Sequence, residues 1–229
     1  MTEIAENLER VQARLAKACE ACGREAADVE LMAVSKKKDV DTVREVVQAG
    51  QLLLGENRIQ EVLIKQPELP SAIRWHLIGH LQSNKVKHAI HCRFECIHSV
   101  DSVKLMHALN KEAGEQGIVQ NILLQVNVSG EGSKFGIAPD ELFPLLEEAA
   151  GCMHLNVEGL MTIPPVSENP EKAGPYFKQL RELRDQAALE TGFALESLSM
   201  GMSHDMEVAI REGATMVRVG TDIFGARAK

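Results

Sequence analysis

Three consecutive lysines stand where an amine could act as a nucleophile. Lys36, Lys37 and Lys38 directly follow LMAVS (31–35), a short β-prone apolar segment. At the end of a buried strand Lys36 would be partly desolvated and surrounded by cations, and both effects lower the pKa of an amine. Such a lysine can attack a carbonyl carbon and form a Schiff base. Composition alone favours a different interpretation of the three lysines, as a solvated basic patch.

A second group of residues has the composition of a phosphate-binding site. It consists of Ser199, Gly201 and Ser203 in LSMGMSHD (198–205), and of Gly220 and Thr221 in RVGTD (218–222). Backbone N–H groups in such turns, together with the positive end of a helix, bind anions. Two ordinary glycine-containing loops that bind no phosphate would have the same sequence pattern. With a Schiff-base lysine, the pattern indicates a phosphorylated carbonyl ligand, such as pyridoxal 5′-phosphate (PLP) or a class I aldolase substrate.

The elements that must position these residues follow a regular alternation. Short apolar segments predict eight strands at 31–35, 51–55, 75–79, 94–99, 121–128, 155–161, 195–200 and 216–220. Helical periodicity fills the gaps at 40–49, 56–65, 101–115, 139–150, 171–190 and 204–212, and a longer amphipathic helix is predicted at 3–22. Alternation at this spacing predicts parallel βαβ units.

Eight such units predict the fold class. We expect an α/β protein with a (β/α)8 TIM-type barrel and an extra N-terminal helix, forming a single domain over residues 1–229. A doubly wound open sheet is the alternative. In a barrel the active residues follow the carboxyl ends of the strands, where both groups above fall. Lys134, in a glycine-rich segment after the fifth strand, is predicted to be a solvated loop residue.

Composition and charge exclude several classes of protein. The formal net charge is −8 and aromatic residues make up 3% of the chain, which disfavours nucleic-acid binding. The first residues lack the apolar core of a secretory leader, and no apolar run approaches the ~20 residues of a membrane span. The five cysteines are scattered and odd in number, unlike a disulfide framework. We therefore expect a cytoplasmic protein.

Two sets of possible metal ligands are present. Cys19 and Cys22 form a C-x-x-C pair on the predicted N-terminal helix without a second pair, so packing is expected. A denser set surrounds the fourth strand and consists of His88, His91, Cys92, Cys96 and His98. Tetrahedral zinc needs four converging ligands, and strand alternation points Ile97 and His98 to opposite faces. No metal site is predicted.

A series of motifs runs in order over almost the whole chain. They are VSKKK (34–38), GENR (55–58), WHLIGHLQSNK (75–85), SVDS (99–102), KFG (134–136), GLMTI (159–163), LSMGMSHD (198–205) and RVGTDIFG (218–225). This series resembles the pyridoxal phosphate homeostasis protein family, the single-domain relatives of the alanine racemase amino-terminal barrel. The lysine stretch departs from the usual KTKP, since Lys37 and Asp39 replace a threonine and a proline. Leu77 stands where relatives often have phenylalanine.

The resemblance implies a cofactor and its contacts. It implies PLP held as an internal aldimine on Lys36, with Asn57 near the ring and Arg218 facing the pyridine nitrogen. An arginine there disfavours ring protonation and weakens the cofactor as an electron sink. The implied phosphate contacts are Ser199, Gly201, Gly220 and Thr221.

The family also implies a function, that of an intracellular PLP carrier without robust catalysis. Apo-forms of PLP-dependent enzymes are candidate recipients, and a monomer is expected. Racemisation needs a second acid or base on the opposite face of the substrate. Alanine-racemising relatives supply a tyrosine from a second domain. Here no second domain is expected after Lys229, and Tyr176 lies in a predicted outer helix, where packing is expected.

Two enzymatic alternatives stay open. His80 and His204 lie at the correct end of the predicted barrel to serve as the second acid or base, so a PLP-dependent amino-acid racemase is one alternative. The other is a Schiff-base aldolase without a bound cofactor, which the lysine and the phosphate-binding pattern would equally satisfy.

Overall fold

The computed structural model describes residues 2–132 and 134–225, so the Lys229 end of the predicted domain lies outside the described residues. The described residues form a closed barrel of eight parallel strands in sequence order. The strands β1 to β8 are Glu30–Val34, Leu53–Glu56, Arg74–Leu77, Cys96–Val100, Gln120–Gln125, Leu155–Met161, Ser197–Met202 and Met216–Val219. Each overlaps a predicted strand, and the (β/α)8 barrel is confirmed.

Nine helices surround the barrel in the described part of the chain. The helices α1 to α9 are Glu3–Ala21, Val40–Gln48, Ile59–Lys65, Val86–His91, Val103–Glu115, Leu142–Ala150, Gly174–Thr191, Met206–Arg211 and Thr221–Phe224. The sequence did not predict the short helices α4 and α9, which have six and four residues. Among the described residues, every helix is too short or too polar to cross a membrane.

The predicted extra helix, α1, completes the outer ring. Its N-cap is Thr2, whose side chain accepts a hydrogen bond from the backbone N–H of Ala5. The buried face of α1 includes Leu8, Val11, Leu15 and Cys19. This helix packs against α2, α8 and α9, so it covers the side of β8 that the one-turn α9 leaves open. Because Cys19 is buried there as a free thiol, its predicted packing role is confirmed.

Strand alternation divides the buried residues into two regions. Most apolar side chains lie between the strands and the helices, in one large cluster. The alternate positions point into the barrel. There two small apolar groups, Met32 with Leu53 and Met216, and Cys96 with Leu123 and Met161, share the interior with buried polar side chains. Among these are His76, His98, Ser199 and Arg218.

Candidate functional site

A cavity of about 290 Å³ opens at the carboxyl-terminal end of the strands, called here the mouth of the barrel. Its lining comes from residues at or just past the ends of six strands. These residues are Val34, Lys36, Asn57, Ile78, Ile163, Met202, Ser203, His204, Arg218, Gly220 and Thr221. The barrel thus brings Lys36, Asn57, Arg218, Gly220 and Thr221, five of the predicted site residues, to one cavity.

The turn that holds Lys36 rests on a buried ionic cluster. Ser35 Oγ donates a hydrogen bond to Glu56 Oε1 at 2.7 Å. The Lys65 ammonium, on α3, donates to the carbonyl oxygen of Ser35 at 2.9 Å and to Glu56 Oε1 at 2.6 Å. Burial raises the pKa of Glu56, and the contact with Lys65 opposes that rise. No local sequence pattern indicates this cluster, because its members come from three separate elements.

The residue after Lys36 is fixed by the same cluster. The backbone N–H of Lys37 donates to Glu61 Oε2 at 2.6 Å, and Glu61 also contacts Lys65 at 3.1 Å. Burial acts to raise the pKa of Glu61, but these two hydrogen bonds outweigh it, so the pKa is lowered. Lys37 itself adopts a left-handed backbone conformation with φ of 61°. Both neighbours of Lys36 are therefore held by side chains of α3 and β2.

The departure from KTKP has a local structural meaning. Asp39, in place of proline, is the N-cap of α2 and accepts a hydrogen bond from the backbone N–H of Thr42 at 2.7 Å. Hydrogen bonding to the side chain and then to the backbone of Thr42 lowers the pKa of Asp39. Lys38 Nζ donates to the carbonyl oxygen of Phe224 at 2.9 Å, so the lysine stretch is also tied to α9.

Arg218 brings a buried guanidinium to the cavity wall. It is 4% exposed, donates from Nη1 to Ser199 Oγ at 2.7 Å and from Nη2 to the carbonyl oxygen of Thr162 at 2.8 Å. Burial lowers its pKa to about 10, against the opposing charge of Asp205. None of the described carboxylates forms an ion pair with Arg218. A buried cation without a carboxylate partner fits a ligand that presents an acceptor atom in the cavity.

Ser199 and Gly201 are not on the cavity wall. Ser199 lies in the barrel interior, where its hydroxyl contacts Arg218 and His98. Gly201 has φ of 91°, and a Cβ on it would lie 2.4 Å from Ala209 Cβ. Its lack of a side chain lets β7 approach α8. The phosphate contacts of these two residues stay a prediction, while Ser203 lines the cavity on this side.

The two candidate second bases differ in position. His204 lines the mouth cavity, with Nε2 3.1 Å from the carbonyl oxygen of Glu168. His80 lines a neighbouring pocket of about 220 Å³. There its ring stacks on Phe135 with centroids 3.9 Å apart, and its Nδ1 lies 3.5 Å from Asp101 Oδ2.

Two further residues lie away from the cavity wall. Tyr176 lies on α7 and packs against the outer apolar cluster, as predicted. Lys134 is half-buried beside Phe135, in the loop after β5, where its backbone N–H bonds to the carbonyl oxygen of Glu131.

The possible metal ligands around the fourth strand do not form one group. His88 and His91 lie on α4, and Cys92 follows that helix. Cys96 and His98 point into the barrel, where they meet His76 of β3, and one potential ligand atom from each lies within 4.8 Å of the others. The sequence analysis missed His76 as a partner. A histidine inside the otherwise apolar strand WHLIG was the available signal.

The described geometry defines an α/β barrel with a lysine after its first strand and a buried arginine on its last, both on one mouth cavity. The family model "Alanine racemase, N-terminal domain" matches residues 4–228. The pyridoxal phosphate homeostasis protein of Aquifex aeolicus is 47% identical over 223 residues, 97% of each chain. That of Pseudomonas aeruginosa is 45% identical over 228 residues, 99% of this chain and 97% of the other. The chain belongs to the pyridoxal phosphate homeostasis protein family.

Solved structures agree with this assignment. PipY of Synechococcus elongatus, with PLP bound, matches with a TM-score of 0.85 and 36% identity, over 97% of this chain and all (100%) of that chain. The alanine racemase of Corynebacterium glutamicum matches with a TM-score of 0.74 at 15% identity, over 98% of this chain and 61% of that chain. This second likeness shows the fold alone.

Proposed function

We propose that this chain is a PLP-binding protein of cofactor homeostasis, with residues 1–229 acting as one cofactor-binding domain. The observation that carries the proposal is the joint placement of Lys36 and Arg218 on one mouth cavity, with no described carboxylate paired to the arginine. Relatives 47% and 45% identical bear the name of homeostasis proteins, and PipY binds PLP. These likenesses favour a carrier that delivers the cofactor within the cell over an enzyme.

Each predicted residue receives a role in this proposal. The Lys36 amine adds to the aldehyde carbon of the cofactor and forms a Schiff base, with loss of one water molecule. Arg218 donates to the pyridine nitrogen, and Asn57 lies beside the ring. The predicted phosphate contacts are Ser199, Gly201, Gly220 and Thr221, of which Gly220 and Thr221 line the cavity. Bound PLP supplies an electron sink for carbanion chemistry, which an unprotonated ring nitrogen weakens.

The first N–H groups of α9 support the phosphate assignment. Gly220 and Thr221 lie at the start of this short helix and line the cavity. The first N–H groups of any helix lack partners within the helix, so they are available to an anion. Ser203 adds a hydroxyl on the opposite loop.

The test is the absorbance spectrum of the protein as purified and after adding PLP, before and after borohydride. We expect a visible band that reduction removes, with a pyridoxyl mass on the Lys36 peptide. Lys36→Ala should lose both signals. Lys37→Ala is the matched control, because Lys37 is the exposed neighbouring lysine and lies off the cavity wall, and it should keep both signals.

The contrary outcome is also clear. A wild-type protein that stays colourless with added PLP would overturn the proposal. If borohydride then trapped a phosphorylated carbonyl substrate on Lys36, the aldolase alternative would take its place.

One observation favours a second candidate function, amino-acid racemisation. Besides Lys36 and Arg218, His204 is the titratable side chain among the described residues of the cavity wall. The test is exchange of the α-proton of D- or L-alanine for deuterium by the PLP-loaded protein. Exchange lost in both Lys36→Ala and His204→Ala would establish a two-base racemase. Absence of exchange in the wild type would leave the carrier function.

A further inference from the structure

Four buried side chains form a continuous line of contacts through the barrel interior. Arg218 Nη1 lies 2.7 Å from Ser199 Oγ, which lies 3.0 Å from His98 Nδ1. His98 Nε2 then lies 2.8 Å from His76 Nδ1. At the amino-terminal end of the strands, called here the foot, His76 Nε2 lies 3.7 Å from Glu95 Oε1. Arg218, Ser199, His98 and His76 are called here the interior chain.

The end groups set the direction of its hydrogen bonds. A guanidinium can only donate and an ionised carboxylate can only accept. Ser199 Oγ therefore accepts from Arg218 and donates its hydrogen to His98 Nδ1. His98 Nε2–H then donates to His76 Nδ1, which leaves the Nε2–H of His76 directed at Glu95. The opposite order would leave the serine hydroxyl hydrogen without an acceptor in the interior chain and aim a lone pair of His76 at a carboxylate.

Burial keeps the imidazole of His98 neutral. His98 is 0% exposed and His76 is 2% exposed. Burial, with the nearby His76 and Arg218, holds the pKa of His98 well below its ordinary value. A neutral imidazole accepts at one nitrogen while it donates at the other, as the order above requires.

The foot end reaches solvent through charged groups. A pocket of about 390 Å³ there is lined in part by His76, Glu95, Arg74, Glu30 and Glu158. Arg74 pairs with Glu95 and with Glu30, each at 2.6 Å. The nearby His76 imidazole, 3.7 Å away, and the hydrogen bonds from Arg74 lower the pKa of Glu95 to about 2. Glu95 is therefore ionised over the neutral pH range and fixes the acceptor end of the interior chain.

We propose that His98 and His76 are positioning residues for the cofactor, which act through Ser199 to hold the Arg218 guanidinium toward the mouth cavity. The inference rests on the proposed function, because it assigns Arg218 to the pyridine nitrogen. Without the acceptor that His98 supplies, the serine hydroxyl is free to turn and the guanidinium loses its fixed partner. The cofactor should then bind more weakly and change its spectrum.

The first test needs no cofactor. Nitrogen-15 NMR of the histidine rings in the apo-protein should show His76 and His98 both as the Nε2–H tautomer. Ser199→Ala should perturb the ring signals of His98 and then of His76. A His98 ring with its proton on Nδ1 would overturn the proposed order of donors.

The second test uses PLP binding and the pH profile of the bound-cofactor absorbance. His98→Leu should weaken PLP binding about tenfold, the scale of one lost hydrogen bond to a charged network, and shift the pH profile. The amide oxygen of the asparagine in His98→Asn can accept the hydrogen bond from Ser199, so this variant should recover much of the PLP affinity and of the wild-type pH profile. Cys96→Ala is the matched control, because it removes an interior side chain of the same strand outside the interior chain.

The outcomes separate this inference from the proposed function. A wild-type protein that binds no PLP overturns both. A wild-type protein that binds PLP, with His98→Leu reducing stability but leaving affinity and pH profile unchanged, overturns only the positioning role. In that case the interior chain would be packing alone.

Discussion

Lys65 places an ammonium group where it is only 4% exposed, beneath the turn that holds Lys36. It meets two carboxylate side chains there, Glu56 and Glu61, at 2.6 and 3.1 Å. Removing one member of a buried ion pair costs about 3–5 kcal/mol, because the other charge is left unpaired. At the scale of single residues, the position of Lys36 therefore depends on a second lysine that does not line the cavity.

Lys65→Met should lower the free energy of unfolding by about 3–5 kcal/mol. Adding Glu56→Gln should recover part of that loss, because the uncompensated charge is then removed. Urea denaturation of the purified variants measures both changes. Lys111→Met is the control, since Lys111 is 80% exposed and pairs only with Glu115 on α5, and it should change stability by less than about 0.5 kcal/mol. If Lys65→Met and Lys111→Met lowered the free energy of unfolding equally, the buried ion pairs of Lys65 would not have the stabilising role assigned to them.

At the scale of elements, the approach of β7 to α8 depends on Gly201. A Cβ at this position would lie 2.4 Å from Ala209 Cβ, and the backbone is left-handed with φ of 91°. Gly201→Ala therefore combines overpacking, which costs about 1–3 kcal/mol, with a backbone strain of about 1 kcal/mol. Because β7 and α8 flank Ser203 and His204, the same shift should also widen the cavity wall.

The contribution of packing can be separated with Gly192→Ala. Gly192 is also left-handed, with φ of 76° at the end of α7, but nothing lies within 4 Å of a Cβ there. We expect Gly201→Ala to lower the midpoint of thermal unfolding clearly more than Gly192→Ala does. Similar losses would mean that backbone strain, and not the contact with Ala209, sets the requirement for glycine.

The elements were predictable where the hydrophobic period was long enough. Every strand was found, because buried parallel strands are short apolar runs, and only their ends moved by a few residues. The predicted strand 121–128 continues past Gln125, where β5 ends, since a loop of the same polarity follows. The helix α9, of four residues, is too short to show a helical period, whereas α4 was not predicted although α8, which also has six residues, was.

At the scale of the whole molecule, the site was predictable only in part. Lys36, Gly220 and Thr221 carry local signals, because residue type and position after a strand suffice to indicate their chemistry. The contacts that support these residues from beneath carry no such local signal in the sequence. Lys65 meets Glu56, and His98 meets Ser199, through barrel closure, which local sequence patterns cannot report. Motif resemblance supplied Arg218 and Asn57, which spacing alone did not single out.

The buried histidine also makes the stability of the whole molecule depend on pH. The pKa of His98 is lowered well below 6.5 in the folded protein, so below pH 6.5 the unfolded chain binds one proton more. Stability should therefore fall as pH falls, with a contribution of about 1.4 kcal/mol per pH unit from this group. Urea denaturation at pH 7, 6 and 5 measures it.

A substitution isolates that contribution. His98→Asn removes the titrating imidazole. Between pH 6.5 and 5, the free energy of unfolding of this variant should therefore fall less steeply than that of the wild type, by about 1.4 kcal/mol per pH unit. His88→Asn, at an exposed histidine of α4, should leave the decline unchanged. A wild-type curve parallel to that of His98→Asn would contradict the assignment.

Closure of the barrel between β1 and β8 also sets an order of events during protein synthesis. Ala33 of β1 pairs with Val219 of β8, although seven strands are made before that partner exists. Lys36 therefore leaves the ribosome long before Arg218. Until β8 has been made, the cavity lacks the wall that Arg218, Gly220 and Thr221 provide. A nascent chain thus carries the Lys36 amine without the complete pocket, and under the proposed function we expect cofactor loading only in chains whose last barrel strand is complete.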